Sequence, residues 1–507
     1  MSDITKFTHP NYNAMSQLWA QLIDCYDENI KAEGTTYLPK TSGMIKDTAL
    51  GATRYLAYNL RANYINYTLQ TVTNSVNTIK RKNVRVASIP DDLMYLKDNF
   101  NSENENMESV LYNILKQQMK LGRVGYLVDF RPEKSELFPS GKFEAVEYKA
   151  PSILNWGFER RGGINKLVYV LLQEESQEIS DKGVEVATVN YRILGLDSQD
   201  EYFTTLVEQE NEKEIGVIRL YTLEKNNLKQ KAVIETEKYK EDQKIYRLSG
   251  ISSIIDYPNV TGKFLHYIPF FVANADDTKM AFSQPPLLNQ SNLSLGVYNA
   301  SANHEALIYL QTANMMFISG SSKDEQGNSL IVDGVTFAKN PSAKAYYVGV
   351  DGAGLSESRA NLNELKNDAA SSGTTIQEKN TQESEKSLQS RIQLQSEKLK
   401  EVSKTGAEVL QSILRTIAEW SAKSKTEIEE IEVVANVDFR TEQEKATELD
   451  KMIDAWKKGG ITDEDLHNWQ VVNNYTKKEY KEWIKEIEKK VTLNNETIND
   501  IDANIKQ

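Results

Sequence analysis

The spacing of hydrophobic positions changes several times along the chain, and each change marks a different element. From Met15 to Ile30, Leu18, Trp19, Leu22, Ile23 and Tyr26 recur at threes and fours, which predicts a helix. Tyr55 to Ile79 repeats the pattern with Tyr55, Tyr58, Leu60, Tyr64, Tyr67 and Val72, and predicts one continuous helix. The Gly- and Pro-bearing stretch GTTYLPKTSG between them is a loop. Residues 106–121 place Val110, Leu111, Ile114, Leu115 and Met119 on one face, and Gly122 suits the left-handed residue that ends a helix.

The period then falls to two. Val124–Phe130, Lys166–Gln173, Val189–Leu196, Ile215–Leu223 and Lys231–Thr236 read as strands. Turn signals such as RRGG and EKNN separate them, so an antiparallel sheet is expected within 124–270.

Residues 284–317 read as one helix of odd composition. Pro285 and Pro286 suit its start. It is too polar to cross a membrane and unusually rich in Asn, Ser and Ala. Two readings stand: a long buried helix of one globular domain, or a helix that packs on copies of itself. Its small residues Ser294, Gly296, Ala300, Ala302 and Ala306 are the packing candidates.

A turn-rich stretch follows, with strand candidates at Leu330–Val332, Val335–Ala338 and Ala345–Val350. A helix is expected from about Ser356 until SSGTTIQ breaks it. Glu383–Lys423 carries Leu388, Ile392, Leu399, Val402, Val409, Ile413, Ile417 and Trp420 at helical spacing, the mark of one very long amphipathic helix. IEEIEVVANVDF (428–439) alternates and predicts a strand. Thr441–Lys457 is helical again, and Thr462 with Asp465 and Thr476 with Glu479 form capping-box patterns.

Composition narrows the chemistry. The 507 residues carry 60 basic and 73 acidic side chains, a net charge of −13, which disfavours tight binding of nucleic acid through its phosphates. The single cysteine, Cys25, excludes an intramolecular disulfide framework and reads as packing rather than as a nucleophile. The four histidines show no ligand spacing, and His304 reads as a polar contact between helices. Asp91–Asp92 and Asp276–Asp277 read as loop acids. The basic stretch Arg54, Arg61, Lys80, Arg81, Lys82 and Arg85 has interleaved tyrosines that could stack on bases. Their helical spacing favours a core stripe with a solvated basic end. No phosphate-binding loop and no GxSxG, HExxH or CxxC motif is present. The expectation is a non-enzymatic protein with no metal and no cofactor. No apolar run is long enough to span a membrane, and the first residues lack a secretory pattern.

A set of colinear segments resembles the portal proteins of tailed bacteriophages, the head-to-tail connectors. They are HPNYNAMSQLW, YLPK, YLAYNLRANYINYT, LKQQMKLGRVGYLVDF, IPFFVAN, PPLLNQSNLSLGVYNASANHEALIYLQ and VDFRTEQEKATELDKMIDAWKKGGITDEDL. Together they span the chain to about residue 490. The resemblance implies a mainly helical α+β fold built as wing, stem, clip and crown, assembling as a ring of about twelve copies around a channel. By it, 1–283 is wing with a β-rich region at 124–270, 284–318 the first stem helix, 319–354 the clip and 355–370 the second stem helix. The channel loop is 371–382, the long wing helix and following strand 383–440, the crown 441–490, and 491–507 a flexible tail.

The implied loop residues are Ser371, Ser372, Gly373, Thr374, Thr375, Ile376, Gln377, Glu378 and Lys379. Lys323, Lys339 and Lys344 become docking candidates in the clip. The implied partners are double-stranded DNA in transit, the terminase packaging motor, head–tail adaptors, and major capsid and scaffolding proteins. The implied location is the portal vertex of a virion, and the host cytoplasm during assembly. A minor head or baseplate protein without a DNA channel is the alternative.

Overall fold

In the computed structural model, the described residues are 8–45, 48–81, 85–132, 141–179, 185–197, 199–208, 219–224, 227–233, 255–256, 258–260, 262–312, 316–319, 344–347, 352–372, 385–439, 442–472, 475–476 and 478–486. The fold is mainly helical α+β, and it forms two units, residues 1–437 and 438–507.

The first unit opens with four helices, α1 (Tyr12–Asp27), α2 (Ser42–Ile45), α3 (Thr48–Arg61) and α4 (Tyr67–Lys80). The continuous helix expected over 55–79 is two helices. The break at 62–66 has one local and one distant cause: the Asn66 side chain caps α4 by accepting from the Leu69 N–H at 2.8 Å, and the Asn63 N–H donates to Ser301 Oγ of α6 at 3.0 Å. Strand β1 (Arg85–Ala87) precedes α5 (Met107–Leu121). Asn106 caps α5 through the Ser109 N–H, and Gly122 ends it at φ 81°.

That glycine has a second constraint. A Cβ on it would lie 2.9 Å from Pro285 Cα, so the approach to the later polar helix closes on bare backbone. The Trp19 indole N–H donates to the Leu121 carbonyl at 3.1 Å and satisfies one open acceptor at the end of α5.

The sheets are antiparallel. β2 (Arg123–Arg131) pairs with β3 (Lys142–Lys149). β4 (Ile153–Arg161), β5 (Ile164–Ile179), β6 (Glu185–Leu196) and β7 (Tyr202–Glu208) run in order in a second sheet. The RRGG signal is the β4–β5 turn, with Gly162 and Gly163 both at positive φ, the type I′ requirement. β8 (Arg219–Glu224) pairs with β9 (Asn227–Val233). β10 (Ile255–Asp256) adds to the edge of β7, and β11 (Phe270–Asn274) lies beside β2.

Next come α6 (Leu288–Thr312), β12 (Met316–Ser319), β13 (Lys344–Tyr347), α7 (Gly352–Ser371) and α8 (Glu385–Trp420). The helix expected to reach Phe317 ends at Thr312, because Met316, Phe317 and Ile318 pair as a strand with Ala345–Tyr347. The strand candidates at Leu330–Val332 and Val335–Ala338 lie outside the described residues.

The 36 residues of α8 make a rod of roughly 54 Å. Leu399, Val402, Val409, Ile413, Ile417 and Trp420 are all buried. The helix crosses α5 at Gly406, where an added Cβ would sit 3.0 Å from Leu115 Cδ2 and 3.2 Å from Gln118 Oε1. Trp420 anchors its end against Phe143 and Tyr202.

The strand expected over 428–439 is mostly something else. Ser424 and Glu427 form a reciprocal capping box that starts α9 (Lys425–Glu430), and only β14 (Glu432–Val434) is extended, paired with β1.

In the second unit α10 (Glu442–Lys457) and α11 (Asp463–Val472) meet at a turn with Gly459 at φ 71°. Thr462 and Asp465 cap each other's backbone N–H groups as their spacing predicts. At the other predicted box, Thr476 Oγ1 accepts from the Lys478 N–H at 3.2 Å. The Trp456 indole N–H donates to Asp463 at 2.6 Å, and Trp483 is buried with its N–H on Gln470.

Candidate functional site: the polar helix α6 and its return helix

Helix α6 has no apolar stripe, yet much of it is buried. Gln290, Ser291, Ser294, Ser301 and His304 are buried beside Val297, Tyr298 and Ala302. Buried polar groups are tolerated only when they are hydrogen-bonded, and here the partners come from four other helices.

From α1, Gln21 Nε2 donates to Ser291 Oγ at 2.9 Å and to Asn292 Oδ1 at 2.6 Å. On α3, the Tyr58 hydroxyl donates to Asn303 Oδ1 at 2.6 Å, and Asn59 Oδ1 accepts from the Tyr298 hydroxyl. On α4, Thr71 Oγ1 accepts from Gln290 Nε2 at 2.8 Å. The same Nε2 reaches the Ala369 carbonyl of α7 at 3.3 Å. Further along, His304 Nδ1 lies 3.2 Å from Ser358 Oγ. Position 290 thus meets 369 and position 304 meets 358, so α6 and α7 are antiparallel, joined through the β12–β13 pair.

The packing candidates fall on different sides of α6. Ser294 is buried and donates to the Gln290 carbonyl at 2.9 Å. Ala302 sits in a cluster with Cys25, Ile30, Tyr58, Ala62 and Tyr298, with Ala306 at its edge. Ala300 packs on the cluster of Val297, Leu362 and Ala369. Gly296 is different: a Cβ there would meet only Leu365 Cδ2, at 4.0 Å. Among the described residues of the chain, nothing needs that position to be glycine.

At the far end of α7, Ser371 Oγ donates to the Asp368 carbonyl at 3.1 Å and Ser372 Oγ to the Ala369 carbonyl at 3.0 Å, which closes the helix end. Gly373, Thr374, Thr375, Ile376, Gln377, Glu378 and Lys379 lie outside the described residues, as do Lys323 and Lys339. Lys344 is the first residue of β13.

The tyrosines of the basic stretch are engaged in packing. The Tyr64 hydroxyl donates to the Cys25 carbonyl at 2.7 Å and the Tyr55 hydroxyl to the Leu38 carbonyl at 3.0 Å. Burial pushes the Tyr298 hydroxyl up to about 12 and the Cys25 thiol up to about 11, so neither ionises near neutrality. The Arg61 guanidinium stacks over Tyr309 at 3.7 Å and the Lys80 ammonium over Tyr112 at 4.2 Å. Asp277 accepts from Asn274 Nδ2 and the Lys279 N–H, as a loop-shaping acid does. Asp92 pairs with Lys423 at 2.6 Å.

Among the described residues, no three His, Cys, Asp or Glu side chains converge as a metal site, and no helix is long and apolar enough to cross a membrane. A polar groove lies between α4, α5 and β3, lined by Tyr26, Lys80, Tyr112, Lys116 and Glu147.

The helices that hold α6 were not signalled by local pattern. Gln21, Asn59 and Thr71 look like ordinary surface polar residues in sequence. Only the density of Asn, Ser and Gln on a helix of that length hinted that matching polar groups must exist elsewhere.

A family described as a domain of unknown function (DUF4055) matches residues 286–421. That span runs from the start of α6 through the β12–β13 pair and α7 to the end of α8. No curated protein matches the chain. Among solved structures it is similar to a chain of the "neck of empty GTA particle computed with C6 symmetry". The identity is 11%, covering 76% of this chain and 83% of that one, at a TM-score of 0.31.

Proposed function

We propose that the chain is a structural protein of a phage-type head–tail junction, and within that class the portal. The observation that carries this reading is the arm formed by α6 and α7. A polar helix runs out, a strand pair turns the chain, an antiparallel helix returns, and a long amphipathic helix follows. This is the order that the colinear sequence motifs imply for stem, clip, stem and wing helix.

The α7 side of the arm fits such a role. Leu362 and Ala369 are its buried residues, and Ser356, Glu357, Arg359, Asn361, Asn363 and Glu364 are exposed. A surface so polar suits a wet channel or a hydrated neighbour contact. The net charge of −13 fits a conduit through which DNA must slide, because a strongly basic wall would bind phosphates and stall it. In this reading the protein works without catalysis: the 371–382 loop sets the constriction, and the 319–354 clip, with Lys323, Lys339 and Lys344, docks the packaging motor and the head–tail adaptors.

The test is the solution mass of the purified full-length protein, paired with negative-stain images. The expected outcome is a closed ring of about twelve copies with a central hole wide enough for duplex DNA. A closed dimer or an oligomer without a hole overturns the portal reading and favours a minor head or baseplate role.

A further inference from the structure

Helix α3 leaves an apolar stripe uncovered. Thr53, Leu56 and Leu60 share one face at i, i+3, i+7 spacing. Leu56 is 59% and Leu60 67% exposed, and Ile45 on the adjoining α2 is 65% exposed. Scattered exposed leucines are ordinary, but a contiguous stripe on one helix marks a contact surface. Its fringe is cationic. Lys40 and Arg54 are exposed, Arg61 stacks on Tyr309, and the sequence from 34 to 61 carries four cations against one acid, Asp47.

A patch of opposite sign lies on β14, linked to α3 through a series of packed helices. α3 packs on α6, α6 on α4, α4 on α8, and α8 on β14. On and beside β14, Val434 is 45% and Val437 38% exposed. Glu427, Glu429, Glu430 and Glu432 precede them in the chain and are exposed. Among the described residues, the cations near this patch are Lys425, 3.7 Å from Glu429, Lys423, which acts on Glu427 while pairing with Asp92, and Arg85, which stands opposite Val434 in the β1–β14 ladder. Arg415 is turned inward onto the Glu429 and Ile431 carbonyls. Among the described residues, the acids outnumber the cations that face them.

We propose that the α3 stripe of one copy docks on the Val434–Val437 patch of a second copy, head to tail. The proposal deepens the ring reading and rests on it. Each surface is apolar at its centre and charged at its rim, and the rims are complementary, so the contact joins unlike faces rather than like ones. Two different patches form a heterologous interface, which repeats head to tail and makes a ring where its rotation closes.

The experiment uses the full-length chain and two variants, Leu60→Glu and Val434→Glu, with mass photometry over a concentration series. Both sites are exposed, and circular dichroism checks that each variant remains folded. The expected result is that each variant alone shifts half-assembly upward by about tenfold or more. Mixed together, the two form heterodimers, because one keeps an intact acidic patch and the other an intact α3 stripe. A milder pair gives an independent readout: Arg54→Glu weakens assembly, and adding Glu430→Arg to the same chain restores it.

The proposal is overturned if Leu60→Glu assembles like the parent. It is also overturned if Val434→Glu does so, which would mean like faces meeting through α3, or if the parent stays monomeric throughout. A parent that forms a holed ring while the variants do too would sink this contact and leave the portal reading standing. A parent that uses this contact to build filaments without a closed ring would do the reverse.

Discussion

Gly296 shows how a single residue separates packing within one chain from packing between chains. It lies mid-helix, where glycine costs stability relative to alanine, and the nearest atom to an added Cβ is 4.0 Å away. Gly296→Ala should therefore stabilise the isolated chain by about 0.5–1 kcal/mol in chemical denaturation. A loss of stability instead would show that the backbone of α6 is more closely approached than its own chain makes it. Glu147 offers a second test. It lines the groove beside α5, its Oε2 accepts from Asn113, and its Oε1 is buried without a hydrogen-bond partner. Burial is the largest influence and raises its pKa. The folded state then holds the proton more tightly than the unfolded chain does. Ionisation therefore costs stability as the pH rises from the unfolded value of about 4.3 through the raised folded value. Glu147→Gln should raise the melting temperature at pH 7, and the difference should close as the pH falls below about 4.

At the scale of elements, the α5–α8 crossing positions the long helix on which the first unit is built. Gln118 Nε2 donates to both Thr405 Oγ1 and the Asn274 carbonyl, at 2.6 Å each, so one side chain of α5 ties α8 to β11. Gly406 is the contact point, already tight for a single Cβ. Gly406→Val should destabilise the protein by about 1–3 kcal/mol, read from denaturant midpoints at constant slope. Substitutions at neighbouring exposed Glu408 should do nothing comparable. The same element scale explains the divided helix at 62–66. Apolar periodicity carried straight across it, but Asn66 and Asn63 bind groups that a continuous helix would have buried or displaced.

At the scale of the whole molecule, charge sets the conditions for the ring and interface experiments. Each copy carries −13, so copies repel one another at low ionic strength. At 0.15 M salt that long-range repulsion is screened beyond about 8 Å, while apolar contacts and close ion pairs persist. Assembly measured near physiological salt is the informative comparison, and the variants on α3 and β14 should be judged there. The interface variants and the hole in the ring answer separate questions, because a contact can repeat without closing.

Much of the fold was determined by sequence alone. The periods of α1, α5, α8 and α10, the Gly122 terminus, the RRGG turn and the Thr462–Asp465 cap are all local. Each depends on residues within a few positions of one another, and short-range sterics and hydrogen bonds settle them. The composition of α6 also announced that polar groups would be buried. Only the tertiary structure decided what those groups meet. Gln21, Asn59, Thr71 and Ser358 come from more than 50 to more than 250 positions away, and no local spacing encodes such pairings. It likewise decided that Met316–Ser319 is a strand, because a distant strand supplied the hydrogen bonds. The helical turn at Ile428–Glu430 was a local matter, in which the Ser424–Glu427 capping box prevailed over alternation. The exposed stripe on α3 belongs with the tertiary decisions: Leu60 stood among the periodic apolar positions, and only the packing showed that its face had been left uncovered.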